Sequence, residues 1–440
     1  MNHFLSITGF FDKPTFLRYV VIWSGLMIGL MTIEPVYGQQ PENLPVFRME
    51  EFHERGGLPN IFYKINHQRQ VRIGYIGGSI TEAREGWRDL SFSWFRLTFP
   101  YTAFYQIDAT IGGTGSDLGV FRIERDLLVH HPDLIFVEFA VNDGGKDREQ
   151  TLSSMEGLIR KIRKYHPETD ICFVYTTAEV YIAKLLDGIR HPAPLAMEEL
   201  AEHYGIPSID VGIEIARLYA QKKLVLSADP SENSHTIVFT KDHTHPLPES
   251  GHPIYGNIVA KYLQKMRQSA GSKIASHKLP ASYYPQNWHD ATFIDIAQTR
   301  LNGKWEKLSE GNPIYDSFSK NLPVIYKGEP GATLEFKFKG TSLGFYDCIG
   351  PESGTLEITI DGKTIEKNRF DQWCSNYRRH NFMLDSLDNG VHQVKIKVLE
   401  KPIDKAKILS AKNVTIDDPA QYAGLNWFPG NIMIVGKLIN

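Results

Sequence analysis

The chain has 440 residues, which is too long for one small hydrophobic core and predicts two folded domains. Its 42% hydrophobic and 22% charged residues are ordinary for a globular protein. The formal net charge of -3 argues against nucleic-acid binding, because nucleic-acid-binding domains are usually strongly basic.

The first forty residues have the composition of an export signal. Two basic residues precede the apolar stretch 19–32, and a plausible cleavage site near Gly38 follows it. The apolar stretch is short for a membrane span. We therefore expect residues 1–38 to be a signal peptide, residues 39–59 to be an N-terminal extension, and the protein to be periplasmic or secreted. No stable membrane insertion is expected once the leader is removed, and an uncleaved anchor is the alternative.

Strand-like and helix-like segments alternate between residues 60 and 268. Nearly continuous apolar runs predict strands, and apolar residues that recur every three or four positions predict helices. Such a pattern predicts a parallel sheet covered on both faces, which is a three-layer α/β/α sandwich of flavodoxin-like type. Ligands bind these sheets at the carboxyl ends of the strands. The predicted strands are 71–76, 101–111, 134–139, 171–176 and 207–211, and the predicted helices are 87–99, 118–130, 153–166, 193–204 and 256–267.

The composition changes after this first domain. Residues 269–289 are polar and enriched in Ser, Gly and Pro, as is typical of a linker. Residues 333–338, 356–360 and 391–398 then alternate between apolar and polar side chains. Together with Asp-Gly and Asn-Gly turns, this alternation predicts an antiparallel β-sandwich as an accessory domain over residues 290–440.

Three cysteines are present. Cys172 lies in an apolar strand-like run and is interpreted as a small buried hydrophobic residue. Cys348 and Cys374 lie in the same C-terminal region, and the sequence leaves open whether they form a disulfide. No Cys-x-x-Cys or His-Glu-x-x-His spacing occurs, so no structural zinc site is expected.

Two glycine-containing turns follow the first two predicted strands. Residues 77–81, Gly-Gly-Ser-Ile-Thr, can expose the Ser79 hydroxyl at the sheet edge with its backbone N–H directed at a substrate. Residues 111–116, Ile-Gly-Gly-Thr-Gly-Ser, place Gly113 near a helix start, where its N–H can face a developing negative charge. Each pattern alone also fits an ordinary turn.

Two more polar loops lie downstream. Asn142 follows the third predicted strand, and its amide is a hydrogen-bond donor that does not titrate. Residues 241–246, Lys-Asp-His-Thr-His-Pro, can supply a general base, His245, and a carboxylate that orients it, Asp242. His243 and His245 also form a His-x-His pair, but no further ligands are defined and no metal is expected.

These four loops together resemble the sequence blocks of the SGNH hydrolase superfamily, also called GDSL-type esterases and lipases. The resemblance covers roughly residues 71–263. It departs from the family at Gly78, where the first block usually carries an acidic residue. The resemblance implies that Ser79 is the nucleophile, that His245 is the general base and then the acid, and that Asp242 orients the imidazole.

The same resemblance implies an oxyanion hole formed by the N–H groups of Ser79 and Gly113 and the side chain of Asn142. It implies no cofactor and no metal. The predicted catalytic domain spans residues 60–268, which places all of these groups in one domain.

Two features indicate an acetylated glycan as the substrate partner. One is export, and the other is the C-terminal sandwich, which resembles jelly-roll modules attached to carbohydrate esterases. The expected activity is hydrolysis of O-acetyl groups on a polysaccharide or oligosaccharide. A lipase or lysophospholipase is one alternative, although no convincing apolar lid is present and the polar residues 227–240 suit a solvated cleft wall.

Two other functions stay open at this point. An O-acyltransferase would use the same acyl-enzyme, and a glycan-binding protein with an inactive site is the non-enzyme alternative. Trp373, Tyr377 and Arg378 are candidates for a sugar-binding platform, with burial in the core as the other outcome. The sequence does not define the oligomeric state.

Overall fold

The computed structural model describes residues 41–68, 70–232, 236–384 and 386–439. The predicted signal peptide, residues 1–38, lies outside the described residues. Within those ranges, no helix combines the length and the apolarity that a bilayer crossing requires.

Strands and helices alternate through the first part of the described chain, as the apolar runs predict. The structure has more helices than expected, and a two-stranded parallel pair is inserted late in this part. The elements are β1 Phe52–His53, α1 Pro59–His67, β2 Gln70–Gly77, α2 Ser79–Glu82, α3 Trp87–Thr98, β3 Ala103–Thr110, α4 Ser116–Asp126, β4 Leu134–Glu138, α5 Arg148–Tyr165, β5 Asp170–Tyr175, α6 Glu179–Leu186, α7 Pro192–Tyr204, β6 Ser208–Asp210, α8 Val211–Ala220, β7 Leu224–Ser227, β8 Ile237–Thr240 and α9 Gly251–Met266.

The main sheet of this part has the strand order β3-β2-β4-β5-β6-β1. Strands β2 to β6 are parallel, and the short edge strand β1 pairs antiparallel with β6. The order of the parallel strands is that of a doubly wound flavodoxin-like sheet, whose direction of winding reverses between β2 and β4. The predicted α/β/α class is therefore confirmed, and the loops after β2 and β4 lie at the point where such sheets bind ligands.

Side chains on the two faces of this sheet belong to two separate hydrophobic clusters. Along β4, Ile135 and Val137 contribute to the cluster that contains α4, α5 and α7. Their neighbours Leu134 and Phe136 contribute to the cluster that contains α1, α3, α8 and α9. This alternation follows from the period of two in a strand, and it explains why the strand sequences are apolar throughout.

A segment without regular structure connects α9 and its short 3-10 extension to the C-terminal strands. It is hydrogen-bonded to α5. The N–H groups of Tyr283 and Tyr284 donate to the carboxylate of Glu156, a residue of α5, at 2.6 and 2.7 Å. The Trp288 N–H donates to the Ser153 carbonyl at 2.8 Å. Residues 41–440 form one compact unit, so the domain boundaries given above stay a prediction.

The C-terminal part is built on an antiparallel eight-stranded sheet, as the alternating sequence predicts. The long strand β13 is central, since it pairs with β10, β16, β17 and β18. The elements are β9 Ala291–Asp295, β10 Arg300–Asn302, β11 Trp305–Lys307, α10 Pro313–Phe318, β12 Tyr326–Gly328, β13 Thr333–Ile349, β14 Thr355–Ile360, β15 Lys363–Asn368, β16 Arg378–Met383, β17 Gly390–Leu399, α11 Lys405–Ser410 and β18 Phe428–Ile439.

The two faces of this sheet bury different surfaces. Phe345 and Ile432 point into the core of the β-sandwich. The adjacent residues Tyr346 and Met433 belong to the same cluster as α4 and α5 of the α/β part. The sheet is therefore the shared wall between its own core and the α/β sandwich.

All three cysteines are free and buried. Cys172 lies in the core of the α/β part, as expected for a small hydrophobic residue. Cys348 and Cys374 lie in different hydrophobic clusters and are not joined. No disulfide therefore stabilises the C-terminal part.

Candidate active site

Ser79, His245 and Asp242 form one continuous chain of hydrogen bonds. The Ser79 Oγ and His245 Nε2 atoms are 2.8 Å apart. On the other side of the ring, His245 Nδ1 and Asp242 Oδ2 are 2.6 Å apart. In this arrangement the imidazole can accept the hydroxyl proton while the carboxylate fixes its tautomer and stabilises the imidazolium. The structure thus brings together three residues that the sequence assigns to a triad.

The loop after β8 holds Asp242 in place through backbone contacts. Its Oδ1 atom accepts hydrogen bonds from the N–H groups of Thr244 at 3.0 Å and His245 at 2.8 Å. Partial burial opposes ionisation, but these bonds and the imidazole outweigh it and lower the pKa of Asp242 to about 2. Asp242 is therefore an anion throughout the neutral pH range, as the orienting role predicted for it requires.

Ser79 is the first residue of the short helix α2, directly after β2. The first N–H groups of a helix have no acceptor within the helix, so the backbone N–H of Ser79 is free to point at a ligand. The half-buried side chain of Asn142 lies against Gly78, the residue before Ser79. A Cβ added to Gly78 would lie only 1.9 Å from Asn142 Oδ1 and 2.5 Å from its Cγ.

This close approach gives a physical reason for a glycine at position 78, where the sequence block that it resembles usually carries an acidic residue. Gly78 has a φ of -94°, a value that any residue adopts, so its backbone does not require glycine. The space does, because Asn142 occupies the volume of a side chain at position 78. Asn142, the predicted oxyanion donor, therefore occupies the space that an acidic side chain at position 78 would need.

The glycine turn after β3 lies beside the serine. A Cβ added to Gly112 would lie 3.6 Å from the Cβ of Ser79. The Gly112 N–H donates to the Glu82 carboxylate at 2.9 Å, which fixes this turn to α2. The next residue, Gly113, is exposed, has a φ of 72°, and has no atom within 4 Å of an added Cβ. Its left-handed backbone is the conformation for which glycine is the favoured residue.

A buried carboxyl group lies beneath the nucleophile turn. Glu138, at the end of β4, accepts hydrogen bonds at 2.7 Å from the hydroxyl groups of Thr81 and Thr176. Burial raises the pKa of Glu138, and no cation pairs with its carboxyl group among the described residues. Glu138 thus ties the turn that carries Ser79 to the ends of β4 and β5.

The sequence did not single out Glu82 or Glu138. No motif marks them, because each acts through a contact with a segment that is remote in sequence. A local signal exists only for Glu82, which is an acidic residue three positions after the candidate nucleophile.

A cleft of about 780 Å³ opens at Ser79. Its walls are mostly charged or polar and come from α2, α3, β3 and α4, and residues 320–323 from the C-terminal part close one side. Arg125 joins the two parts of the wall, since its Nη2 donates to the Asn321 carbonyl at 3.2 Å. The cleft therefore offers hydrogen-bonding groups to a polar ligand rather than an apolar channel for an acyl chain.

His243 does not take part in the triad. Its Nδ1 atom lies 2.8 Å from the Glu179 carboxylate. Among the described residues, no group of three or more His, Cys, Asp or Glu side chains is arranged to hold a metal ion.

Two of the three candidates for a sugar platform bond to Asp371, to which the backbone N–H of Trp373 and the guanidinium of Arg378 both donate. The Tyr377 hydroxyl donates to Glu352 at 2.7 Å, and its ring packs against Phe428. Trp373 is 54% exposed, and Lys412 Nζ lies 4.1 Å from its ring centroid. Of the two aromatic candidates, only Trp373 presents its ring mainly to solvent.

Part of the chain is similar in sequence to a known protein family. The model of the GDSL-like Lipase/Acylhydrolase family matches residues 75–249, which include all five predicted site residues. No curated protein matches the sequence. Residues 75–249 also contain Gly78 and Glu82, so the matched region covers the whole nucleophile turn.

Two solved structures of a two-domain esterase (CEX) active on acetylated mannans share the fold. Their TM-scores are 0.68 and, for the form co-crystallised with mannopentaose, 0.64, at 18% identity. The match covers 88 and 89% of this chain and 100% of those chains. A catalytic mutant of the acetylxylan esterase Axe2 from Geobacillus stearothermophilus is 15% identical over 44% of this chain and 94% of its own, with a TM-score of 0.35. The likeness to CEX thus extends over both the α/β part and the C-terminal sheet.

Proposed function

We propose that this chain, whose residues 75–249 match the model of the GDSL-like Lipase/Acylhydrolase family, is a serine esterase that works through an acyl-enzyme. The observation that carries the proposal is the hydrogen-bond chain from Ser79 through His245 to Asp242. A binding protein would have no use for a serine hydroxyl, an imidazole and a carboxylate aligned in this order.

In the acylation step, Ser79 Oγ attacks the ester carbonyl carbon while His245 Nε2 takes the hydroxyl proton. The carbonyl π electrons move to the oxygen, and a tetrahedral intermediate forms. When it collapses, the bond from carbon to the alcohol oxygen breaks, and the imidazolium gives its proton to the leaving alcohol. Asp242 stabilises the imidazolium through its bond to Nδ1.

In the deacylation step, a water molecule takes the place of the alcohol. His245 removes a proton from the water, the resulting oxygen attacks the acyl-enzyme, and the proton returns to Ser79 Oγ as the carboxylic acid leaves. In both steps the negative oxygen would accept hydrogen bonds from the N–H groups of Ser79 and Gly113 and from the Asn142 amide. Ser79, Gly113 and Asn142 lie in the segments that follow β2, β3 and β4.

For the substrate we propose an O-acetyl group on a polysaccharide or oligosaccharide. The cleft at Ser79 is lined mainly by charged and polar side chains, which suits a hydroxyl-rich glycan better than a lipid acyl chain. The structurally similar CEX is active on acetylated mannans, so acetylated mannan is the first polymer to test. Export through the predicted signal peptide would place the enzyme with such glycans.

The test compares the parent protein with Ser79→Ala and with Ser93→Ala, which changes an exposed serine on α3. Acetate release from acetylated manno-oligosaccharides is measured together with glycan binding by calorimetry. We expect Ser79→Ala to abolish release and retain binding, and Ser93→Ala to match the parent. Release that persists in Ser79→Ala would disprove the mechanism.

The same assay separates the alternatives. A preference of the parent for octanoyl over acetyl aryl esters would indicate a lipase. Transfer of acetyl groups to added manno-oligosaccharide, in excess over free acetate, would indicate an acyltransferase. Binding without any release by the parent would indicate a glycan-binding protein.

A further inference from the structure

Lys146 lies between two carboxylates behind the candidate oxyanion donors. Its ammonium group donates to Asp117 Oδ1 at 2.8 Å and to Asp143 Oδ1. The Asp143 side chain is fully buried, and the side chains of Lys146 and Asp117 are only 17% and 21% exposed. Desolvation opposes the charge of Lys146, but the two carboxylates outweigh it and raise its pKa. The three groups thus form one shielded ion-pair chain.

The inner end of this chain joins the two loops that carry oxyanion donors, residues 111–116 and 141–146. Asp143, next to Asn142, accepts a hydrogen bond at 3.0 Å from the N–H of Ser116, the first residue of α4. That N–H has no acceptor within the helix, so Asp143 caps α4 from another loop.

The same contact requires a glycine in the first of these loops. A Cβ added to Gly115 would lie 2.3 Å from Asp143 Oδ1 and 2.2 Å from Lys146 Nζ. The backbone at Gly115 is therefore pressed against the ion pair. As a result, the position of the Gly113 turn is fixed relative to Asn142.

The outer end of the chain reaches the C-terminal sheet. Asn381 Nδ2 donates to Asp117 Oδ2 at 3.1 Å. Asn381 belongs to β16 and pairs with Tyr346 of β13, whose ring is buried in the cluster shared with α4 and α5. A side chain of the sheet therefore touches the ion-pair chain directly.

We propose that the C-terminal sheet positions the oxyanion donors through the chain Asn381–Asp117–Lys146–Asp143. Asn381, Lys146 and Asp143 are positioning residues, since they hold the two donor loops in register without touching the ester. The proposal rests on the esterase function proposed above. It gives the C-terminal sheet a role in turnover even with substrates too small to reach it.

The experiment uses the full chain and 4-nitrophenyl acetate, a small ester that makes no glycan contacts. Lys146→Met removes the central charge, and Lys146→Arg restores a cation at the same place. Asn381→Ala removes only the contact from the sheet. Lys395→Met is the matched control, because Lys395 pairs with Glu335 on the exposed surface of the same sheet.

We expect Lys146→Met to lower kcat about 30-fold and Asn381→Ala about 3-fold, with KM within about twofold of the parent. Lys146→Arg should recover most of the loss, and Lys395→Met should match the parent. The rate at which a fluorophosphonate modifies Ser79 should fall in parallel with kcat, because its product places an oxygen at the oxyanion position. Active-site titration and circular dichroism give the folded fraction, so each rate is expressed per folded molecule.

Two outcomes would overturn the proposal. One is that both Lys146→Met and Asn381→Ala lose stability while keeping the parent's kcat and phosphonylation rate. The other is that KM alone changes. If the parent hydrolyses esters and Ser79→Ala does not, either outcome leaves the esterase function intact. If no ester is turned over, the esterase function fails, while the phosphonylation rates still test whether the chain positions the donors around Ser79.

Discussion

The contact between Gly78 and Asn142 makes a prediction that runs against the family pattern. Adding a side chain at position 78 should lower turnover, even when it is the acidic residue that the resembled SGNH sequence block usually carries there. The Cβ of Gly78→Ala would lie 1.9 Å from Asn142 Oδ1, so the amide must move by about 1.5 Å to reach ordinary contact. A displacement of this size should remove most of the transition-state stabilisation that a positioned hydrogen-bond donor provides.

One oxyanion donor is worth about 2.7–4 kcal/mol, which corresponds to about 10²–10³ in kcat. We therefore expect Asn142→Ala to lower kcat within this range and Gly78→Ala to lower it about 100-fold. Gly78→Asp should be at least as impaired as Gly78→Ala. The two changes act on one donor, so adding Gly78→Ala to Asn142→Ala should cost less than about twofold more.

The assay is a double-mutant cycle on the kcat for 4-nitrophenyl acetate. Gly145→Ala is the control, because this exposed glycine of the same loop has no atom within 4 Å of an added Cβ. It should keep the parent's rate. If Gly78→Ala keeps the parent's rate, or if its loss multiplies with that of Asn142→Ala, the steric argument is wrong.

Three further predictions concern the triad and the packing around it. Asp242→Asn should lower kcat about 10⁴-fold without changing the thermal midpoint by more than a few degrees, measured by turnover and calorimetry, because an amide cannot stabilise the imidazolium. Burial raises the pKa of Glu138, so its contribution to stability is present at acid pH and is lost as the pH rises above its unfolded value of about 4.3. Urea titrations from pH 4 to 7 should therefore show Glu138→Gln gaining stability relative to the parent as the pH rises, and a constant difference would contradict this. Met433→Ala, at a fully buried position between the two parts, should lower the free energy of unfolding by about 2–5 kcal/mol in one transition, and two separate transitions would show that the parts unfold independently.

Strands β2 to β6 could be predicted within two residues at each end, because buried parallel strands carry unbroken apolar runs. The short strands β1, β7 and β8 were not predicted. The helices were less predictable. Helix α5 begins at Arg148 rather than Ser153, since the Asp147 side chain accepts from the Gln150 N–H and caps the first turn. Helix α8 follows β6 without a gap, so its apolar residues merge with those of the strand.

The predicted site residues come together because they lie in loops at one edge of the sheet. The order of the parallel strands then places the loop after β2 next to the loop after β4. What the sequence does not show is how these loops are held. Glu82, Glu138 and Lys146 each stabilise a loop from a distant segment, and no spacing in the sequence records such a contact.

Both faces of the C-terminal sheet are apolar where the sheet packs on the α/β part, which the linker-like sequence did not indicate. In a free-standing sandwich, the outer face of the sheet would be polar. Here Tyr346 and Met433, on that outer face, are fully buried in the cluster that also contains α4 and α5. Separation of the two parts would expose this apolar face to water at a cost of about 25 cal/mol per Å². Hydrophobic packing therefore holds the sheet close enough for Asn381 to reach Asp117, which is the contact that the proposed positioning of the candidate oxyanion donors requires.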